Sequence, residues 1–462
     1  MILGFLQQIH SRVRKSIRWV VYGLAMPLGI TALPSFAKNG PPNIVLIYID
    51  NVGYGDIGCY GNPVIRTPRM DSLAREGIRC TDFYIVTSSC TPSRGALLTG
   101  RYPLRNGLTH QLSRDENWAG IGLPHTEKIL PEFLKSAGYA TGCFGKWNIG
   151  FASGSRPTDR GFDEFLGSRS GNIDYYTHVY NGQEDLYRGT EAIDIEGYST
   201  DLFAEAACEF IRRNREKPFF AYVPFNAAHV PNPKNKAPGE PTVWQAPAEF
   251  FELYGYEPDS TDPDEGYHAV MSALDGGIGS IVKQIDDLGL RENTLLILAS
   301  DNGGSTREDL ILETASNAPF RGGRTETYEG GVRTACIIRW PNRFEAGKVC
   351  REPIANIDLF SLILNAAKAP LPRDRVIDGR DPTATLTGDA HSPHEYIYFE
   401  YRKWSGARNG RWKIVRSRPE RPFELYDLSI DWSESRNLAE EMPDRLNRMA
   451  AAFEKWRSEF SR

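Results

Sequence analysis

The sequence has no internal repeat, no low-complexity tract and no surplus of positive charge. The first two absences exclude solenoid, collagen-like and largely disordered architectures. The third bears on partners. Lysine and arginine number 54 against 59 aspartate and glutamate, so no long-range field draws in nucleic acid or another polyanion. An anionic substrate has to be held by a few local cations. Cysteine is sparse as well, and its count of seven is odd. In an oxidising compartment that fits three disulfides and one leftover thiol, in a connectivity that spacing does not reveal. Cys90 is the candidate for the odd one.

Acidic residues are missing from the first 37 positions, where Arg12, Arg14, Lys15 and Arg18 precede WVVYGLAMPLGITALPSFA. With small residues at Ser35 and Ala37, residues 1–37 read as a signal peptide, and the expected location is secreted or periplasmic. The alternative is a retained anchor. Pro27, Gly29 and Pro34 make the stretch a poor spanning helix, so no stable membrane insertion is expected once the signal is removed. No cysteine stands at the cleavage point to take a lipid. Removing the segment leaves 50 basic against 59 acidic residues, a net charge of −9.

What the chain does have is alternating strand and helix patterns, the mark of an α/β fold built on a large, mainly parallel sheet. NIVLIYIDN at 43–51 and TLLILASDN at 294–302 are short apolar runs that read as buried central strands. Both end in Asp-Asn, and ligands of open α/β sheets gather beyond the carboxyl ends of the strands. Asp50, Asn51, Asp301 and Asn302 thus offer a hard oxygen site suited to Ca²⁺, or less well Mg²⁺, if the strands are neighbours. The plainer reading is a pair of Asx turns closing two strands.

The segments between serve mostly as packing. Thr126 is placed to cap a helix carrying Ile129, Leu130, Phe133 and Leu134, with Gly138 as its stop. YATGCFGKWN brings Lys146 to another strand end, 200–214 is an amphipathic helix, and 218–233 is a strand leading into a proline-rich loop with His229. From about residue 371 to 462 the pattern changes to aromatic-rich strands (HEYIYFEYR, GRWKIVRS, FELYDLS) and a closing helix. This predicts a small antiparallel C-terminal subdomain after a catalytic domain over 38–370.

Pro92 suits the first turn of a helix, which puts Cys90 at the helix mouth, where backbone N–H groups and the dipole favour anions. Arg94, one turn along, adds a cationic fork for an oxyanion such as sulfate or phosphate. A buried cysteine beside a turn and a thiolate nucleophile are the other readings, although a thiolate needs no divalent metal cage.

Cys-Thr-Pro-Ser-Arg followed by Gly-Ala-Leu-Leu-Thr-Gly-Arg resembles the signature of the sulfatases, in which Cys-x-Pro-x-Arg directs oxidation of the cysteine to formylglycine. Alone it is a weak signal. The resemblance continues through PNIVLIYIDNVGYGDIGCYG, GKWNIG, AAHVPNP, SDNGG, PFRGGRTETYEGGVR and the C-terminal NGRWKIVRS with FELYDLS, over roughly residues 42–460. It implies an alkaline-phosphatase-like α/β fold, Ca²⁺, and hydrolysis of the sulfate ester of a small molecule or glycan. It also implies maturation by a formylglycine-generating enzyme. An aldehyde hydrate at position 90 would attack sulfur with one hydroxyl and expel sulfate by ionising the other, one hard displacement split into two easier steps.

The roles that the resemblance implies are metal ligation by Asp50, Asn51, Asp301, Asn302 and the modified Cys90. Arg94 stabilises the nucleophile, Lys146 binds sulfate, and His229 protonates the leaving oxygen. Arg324 stands where lysine is usual and can bind sulfate bidentately. Asn51 replaces an aspartate, which keeps an oxygen but drops a charge. Asn148 replaces a histidine and touches substrate without offering a base. His178, in the Tyr175–His178 cluster, and His110 are candidates for a sugar pocket. The rival readings are a phosphate or phosphonate ester hydrolase on the same scaffold and a non-catalytic binder of sulfated glycans.

Overall fold

The structure, a computed structural model, describes residues 40–460 apart from 238, 240, 241 and 306–313. The expected signal peptide lies outside the described residues. The two apolar runs form neighbouring parallel strands, Asn43–Ile49 and Thr294–Ser300, paired in register from Asn43 with Thr294 to Ile49 with Ser300. Phe219–Pro224, Ala140–Phe144 and Glu164–Ser168 continue the parallel set on the other side of Asn43–Ile49. Beyond Thr294–Ser300, Arg333–Arg339 runs antiparallel and Ile78–Tyr84 reverses again. Short strands complete an eleven-stranded sheet with a parallel centre and mixed margins.

The alternation of side chains explains why these runs are apolar throughout. Ile44, Leu46 and Tyr48 enter one core, and Val45, Ile47 and Ile49 the other. The first core lies under the helices Cys90–Thr99, Leu130–Ser136 and Asp358–Ala366, and the second under Pro68–Glu76, Ser199–Asn214 and Pro263–Asp287. A strand buried on both faces must be apolar at every position. Truncating a residue such as Leu46 to alanine would cost about 2–5 kcal/mol.

The C-terminal sheet has four antiparallel strands, Ile397–Tyr401, Trp404–Asn409, Trp412–Arg416 and Glu424–Asp427, followed by the helix Pro443–Ser458. Its Phe399, Ile414 and Leu425 share the first core with Tyr84 and Leu97, so it packs as part of the same unit. Among the described residues, no helix is long and apolar enough to cross a membrane.

Two local expectations are corrected. The helix expected to start at Thr126 begins at Leu130, with Ile129 as its cap. Pro131 fits the first turn, where its missing N–H is not needed, but it would break a helix begun four residues earlier. Gly138 does follow the helix in the left-handed conformation, at φ 87°. The cysteines form no disulfide: all seven are free thiols. Cys80 lies opposite Cys336 on one side and Cys350 on the other, a row of three across adjacent strands, while Cys59 and Cys208 are half-buried on separate helical turns.

Candidate active site

The carboxyl edge of the parallel strands collects the charged residues. Asp50 and Asp301 leave their strands side by side, tied by Asp301 N–H donating to the Ile49 carbonyl at 2.9 Å and Asn51 N–H to Asp301 Oδ1 at 3.2 Å. Both carboxylates are fully buried. The helix Cys90–Thr99 aims its first residue at them, with Cys90 Sγ 3.2 Å from Asp50 Oδ1 and 3.7 Å from Asn51 Oδ1. Three cations complete the cluster. Arg94 donates to Asp301 Oδ2 at 2.7 Å and to the Lys146 carbonyl at 3.0 Å. Lys146 donates to Asp50 Oδ2, and Arg324 donates to Cys90 Sγ at 3.5 Å.

Glycine sets one of these positions. Lys146 follows Gly145, which has φ 136° and lies so close to the next strand that a Cβ there would meet the Pro224 carbonyl oxygen at 2.1 Å. Only glycine lets the chain turn the lysine into the crevice at that point. Asn51 and Asn148 also adopt left-handed backbone, at φ 57° and 54°. Asparagine is among the few residues with a side chain that accept this region readily.

Burial is the first influence on every titratable group here. It pushes the Cys90 thiol up, Asp301 and Asp50 push it further, and it reaches about 12. The cysteine is therefore a thiol at neutral pH. At Asp50 the cost of burial is outweighed by Lys146, His229 and Arg94, which hold it below the usual carboxylate range. Burial and the Asp50 charge raise Asp301. His229 is drawn down to about 3, by burial first and then by Arg324 and Lys146 against Asp50. Its Nδ1 faces the Val230 carbonyl at 2.9 Å, which leaves Nε2 for the crevice.

The amides among the oxygen donors bear on a cation. Asn302 Nδ2 donates to Asn51 Oδ1 at 2.6 Å, while Asn302 Oδ1 and Asn51 Nδ2 are buried with no partner among the described residues. Asn302 Nδ2 also donates to the Gly303 carbonyl at 2.9 Å, which fixes the amide with its Oδ1 as the partnerless acceptor. Asp50, Asn51, Asp301 and Asn302 together offer hard oxygen donors of the kind that suits Ca²⁺ or Mg²⁺. Asp50, Cys90 and His229 also lie within 4.8 Å of one another, a mixed donor set that suits a softer ion. The oxygen set is the better candidate, because it uses the partnerless amide and the second carboxylate.

The sulfatase family model matches residues 42–369, and the model of the N-sulphoglucosamine sulphohydrolase C-terminal region matches residues 324–457. The chain belongs to the sulfatase family. It is a sulfuric ester hydrolase. The N-acetylgalactosamine-6-sulfatase of Canis lupus familiaris is 32% identical over 90% of this chain and 79% of the relative. The steryl-sulfatase of Rattus norvegicus is 30% identical over 78% of this chain and 73% of its own. Among solved structures, Ps i-CgsB in complex with k-i-k-neocarrahexaose superposes with a TM-score of 0.81. It is 28% identical and covers 90% of this chain and 92% of its own.

Within this sulfatase the candidates divide. Asp50, Asn51, Cys90, Arg94, Lys146, His229, Asp301, Asn302 and Arg324 converge through the contacts above. Asn148 is buried two residues after Lys146, and neither its Oδ1 nor its Nδ2 has a partner among the described residues. His178 is turned elsewhere, with Nε2 on the Gly197 carbonyl at 3.1 Å, so its ring closes a turn. His110 pairs with Glu116 at the surface. Sequence reasoning missed Gln111, whose Oε1 accepts from Thr91 N–H at 3.1 Å and satisfies an orphan donor at the mouth of the cysteine helix. Tyr175, from the cluster expected to line a sugar pocket, instead donates its hydroxyl to the His229 carbonyl at 2.9 Å. The aromatic cluster pointed to Tyr175; nothing local pointed to Gln111.

Proposed function

We propose that this sulfatase cleaves sulfate esters of saccharides through a formylglycine made from Cys90, with Ca²⁺ held by Asp50, Asn51, Asp301 and Asn302. The observation that carries the reading is the convergence of Cys90, two carboxylates and three cations in one buried crevice. The cations outnumber the carboxylates even before any metal is counted, so an anion is favoured beside position 90. A hydrated aldehyde at position 90 would supply the attacking hydroxyl, and a cation held by these residues would lower its pKa.

The chain's own residues divide the remaining work. Arg94, fixed at two of its nitrogens, and Arg324, donating toward position 90, stabilise charge there. Lys146 reaches from Asp50 to a sulfate oxygen. His229 presents Nε2 to the leaving oxygen; it takes up a proton against burial, aided by Asp50 and by the negative charge of a bound sulfate. The partnerless amide of Asn148 offers a donor and an acceptor to the substrate.

Saccharides are favoured by similarity to an N-acetylgalactosamine-6-sulfatase and to Ps i-CgsB, solved in complex with k-i-k-neocarrahexaose. Export is supported by the basic and apolar pattern of residues 1–37, and maturation needs a formylglycine-generating enzyme as partner. The test compares kcat/KM on matched 4-nitrophenyl sulfate and phosphate. Preference for sulfate by orders of magnitude is expected; equal or reversed preference would favour the phosphoester reading, and no turnover of either the binder.

A further inference from the structure

A second site lies on the same edge of the sheet. Ile78–Tyr84 is antiparallel to Arg333–Arg339, which is antiparallel to Thr294–Ser300. Ile78–Tyr84 therefore runs with the parallel centre and delivers Val86 at the edge that holds Asp50 and Asp301. Val86 forms one wall of a pocket of about 290 Å³, whose other walls include Tyr102, His110, Tyr401, Arg402 and Trp456. Val86 is four residues before Cys90, so the two lie within roughly 14 Å even on extended chain. Thr109 and His110 lead into Gln111, which touches the mouth of the cysteine helix.

The far wall is a two-residue hairpin turn, Arg402-Lys403, between Tyr401 and its partner Trp404. This turn is stitched to the loop that carries Arg324. Thr327 Oγ1 donates to the Ser405 carbonyl at 3.1 Å, the Tyr328 and Trp404 rings meet edge to face at 5.2 Å, and Thr325 N–H donates to the Ser88 carbonyl at 2.9 Å.

Two residues of the pocket stand out. Arg402 occupies left-handed backbone at φ 54°, a turn position where glycine or asparagine is least costly. Its guanidinium is exposed, sits 5.4 Å from the Tyr401 ring and has no carboxylate partner among the described residues. Trp456 is 7% exposed, and its indole N–H has no acceptor among the described residues. Arg457 adds a second guanidinium and engages Glu400 through Nε at 2.7 Å. In a protein with an acidic excess, two arginines against one lining glutamate make this pocket locally positive.

We propose that this pocket binds the carboxylate or sulfate of a sugar neighbouring the one that is desulfated, with Arg402 as the anion ligand. The proposal rests on the sulfatase reading and narrows its substrate to polyanionic saccharides. The substrates that test it are N-acetylgalactosamine 6-sulfate alone, linked to glucuronate, linked to a second sulfated sugar, and linked to neutral galactose. Arg402→Asn suits the left-handed turn and removes the charge, while Arg402→Lys keeps the charge. Wild-type protein should prefer one of the anionic disaccharides over the neutral one, and which one identifies the source of the anion. Arg402→Asn should lose about tenfold of that preference relative to 4-nitrophenyl sulfate, as expected for one charge-assisted hydrogen bond. Arg402→Lys should retain most of it. An unchanged ratio of anionic to neutral disaccharide in Arg402→Asn overturns the proposal. Calorimetry of Cys90→Ser protein with the uronate and the doubly sulfated disaccharides separates the two readings. Tenfold weaker binding in the added Arg402→Asn variant supports the pocket even where turnover fails, and equal binding of both overturns it.

Discussion

Asn148 is where the chain departs furthest from the sulfatase pattern. Its amide is buried and partnerless, so it is free to meet the substrate, but an amide accepts no proton at ordinary pH. A missing general base is worth ~10²–10⁴-fold in the step that needs it. In the reading above that step is sulfate release, while the first displacement relies on Arg94 and His229. Stopped-flow turnover of 4-nitrophenyl sulfate should show a burst of phenol followed by a slow steady state. Asn148→His, which left-handed backbone tolerates, should shrink the burst and raise the steady rate. A linear course from the first turnover, with the histidine variant no faster, would place the base on another residue. The residue scale also shows why asparagine stands at 51 and 148: both backbones are left-handed, so conformation and chemistry act on the same choice.

At the scale of elements, the loop that carries Arg324 is held by a buried ion cluster. Lys413, on a strand of the C-terminal sheet, donates to Glu329 at 2.8 Å and pairs with Glu434 at 3.0 Å, all three fully buried. Glu329 N–H in turn donates to Glu434 at 2.6 Å. Burial opposes both charges; Lys413 with Arg333 and Arg408 outweighs it at Glu329, whereas at Glu434 burial wins and raises the group. Removing one partner of a buried cluster leaves an uncompensated charge. Lys413→Met should therefore destabilise the fold by about 3–5 kcal/mol in urea unfolding. A loss below about 1 kcal/mol would show that the cluster is solvated. None of this was legible in the sequence, because the three residues lie on separate segments and meet only through the fold. The central strands and their Asp-Asn ends were legible, since a strand buried on both faces has to be apolar along its length. The strand Trp404–Asn409 was not, because its WSGARN is too polar and glycine-broken to show a strand pattern. The helix starts at Leu130 and not after Thr126, because Pro131 belongs in a first turn.

For the whole molecule, a cation held by the oxygen set would link metal binding to folding. A cation that binds only the native state stabilises it by mass action, by about 2.7 kcal/mol at a hundredfold excess over Kd. Adding Ca²⁺ to chelator-treated protein should raise the unfolding temperature, and Mg²⁺ should do so less. Asp301→Ala should abolish the shift. Equal shifts in wild type and Asp301→Ala would move the metal elsewhere. The mixed set of Asp50, Cys90 and His229 instead requires that Zn²⁺ shift the wild type most and that Cys90→Ser remove the effect.

The central claim concerns residue 90. Burial and two neighbouring aspartates keep its sulfur protonated, which suits a precursor better than a nucleophile. The direct measurement is peptide mass spectrometry of residue 90 in protein made with a formylglycine-generating enzyme and sorted by specific activity on 4-nitrophenyl sulfate. The account expects the fraction carrying an aldehyde in place of the thiol to rise in proportion to activity and to vanish in Cys90→Ala. Full activity in protein whose Cys90 is an intact thiol throughout would contradict it.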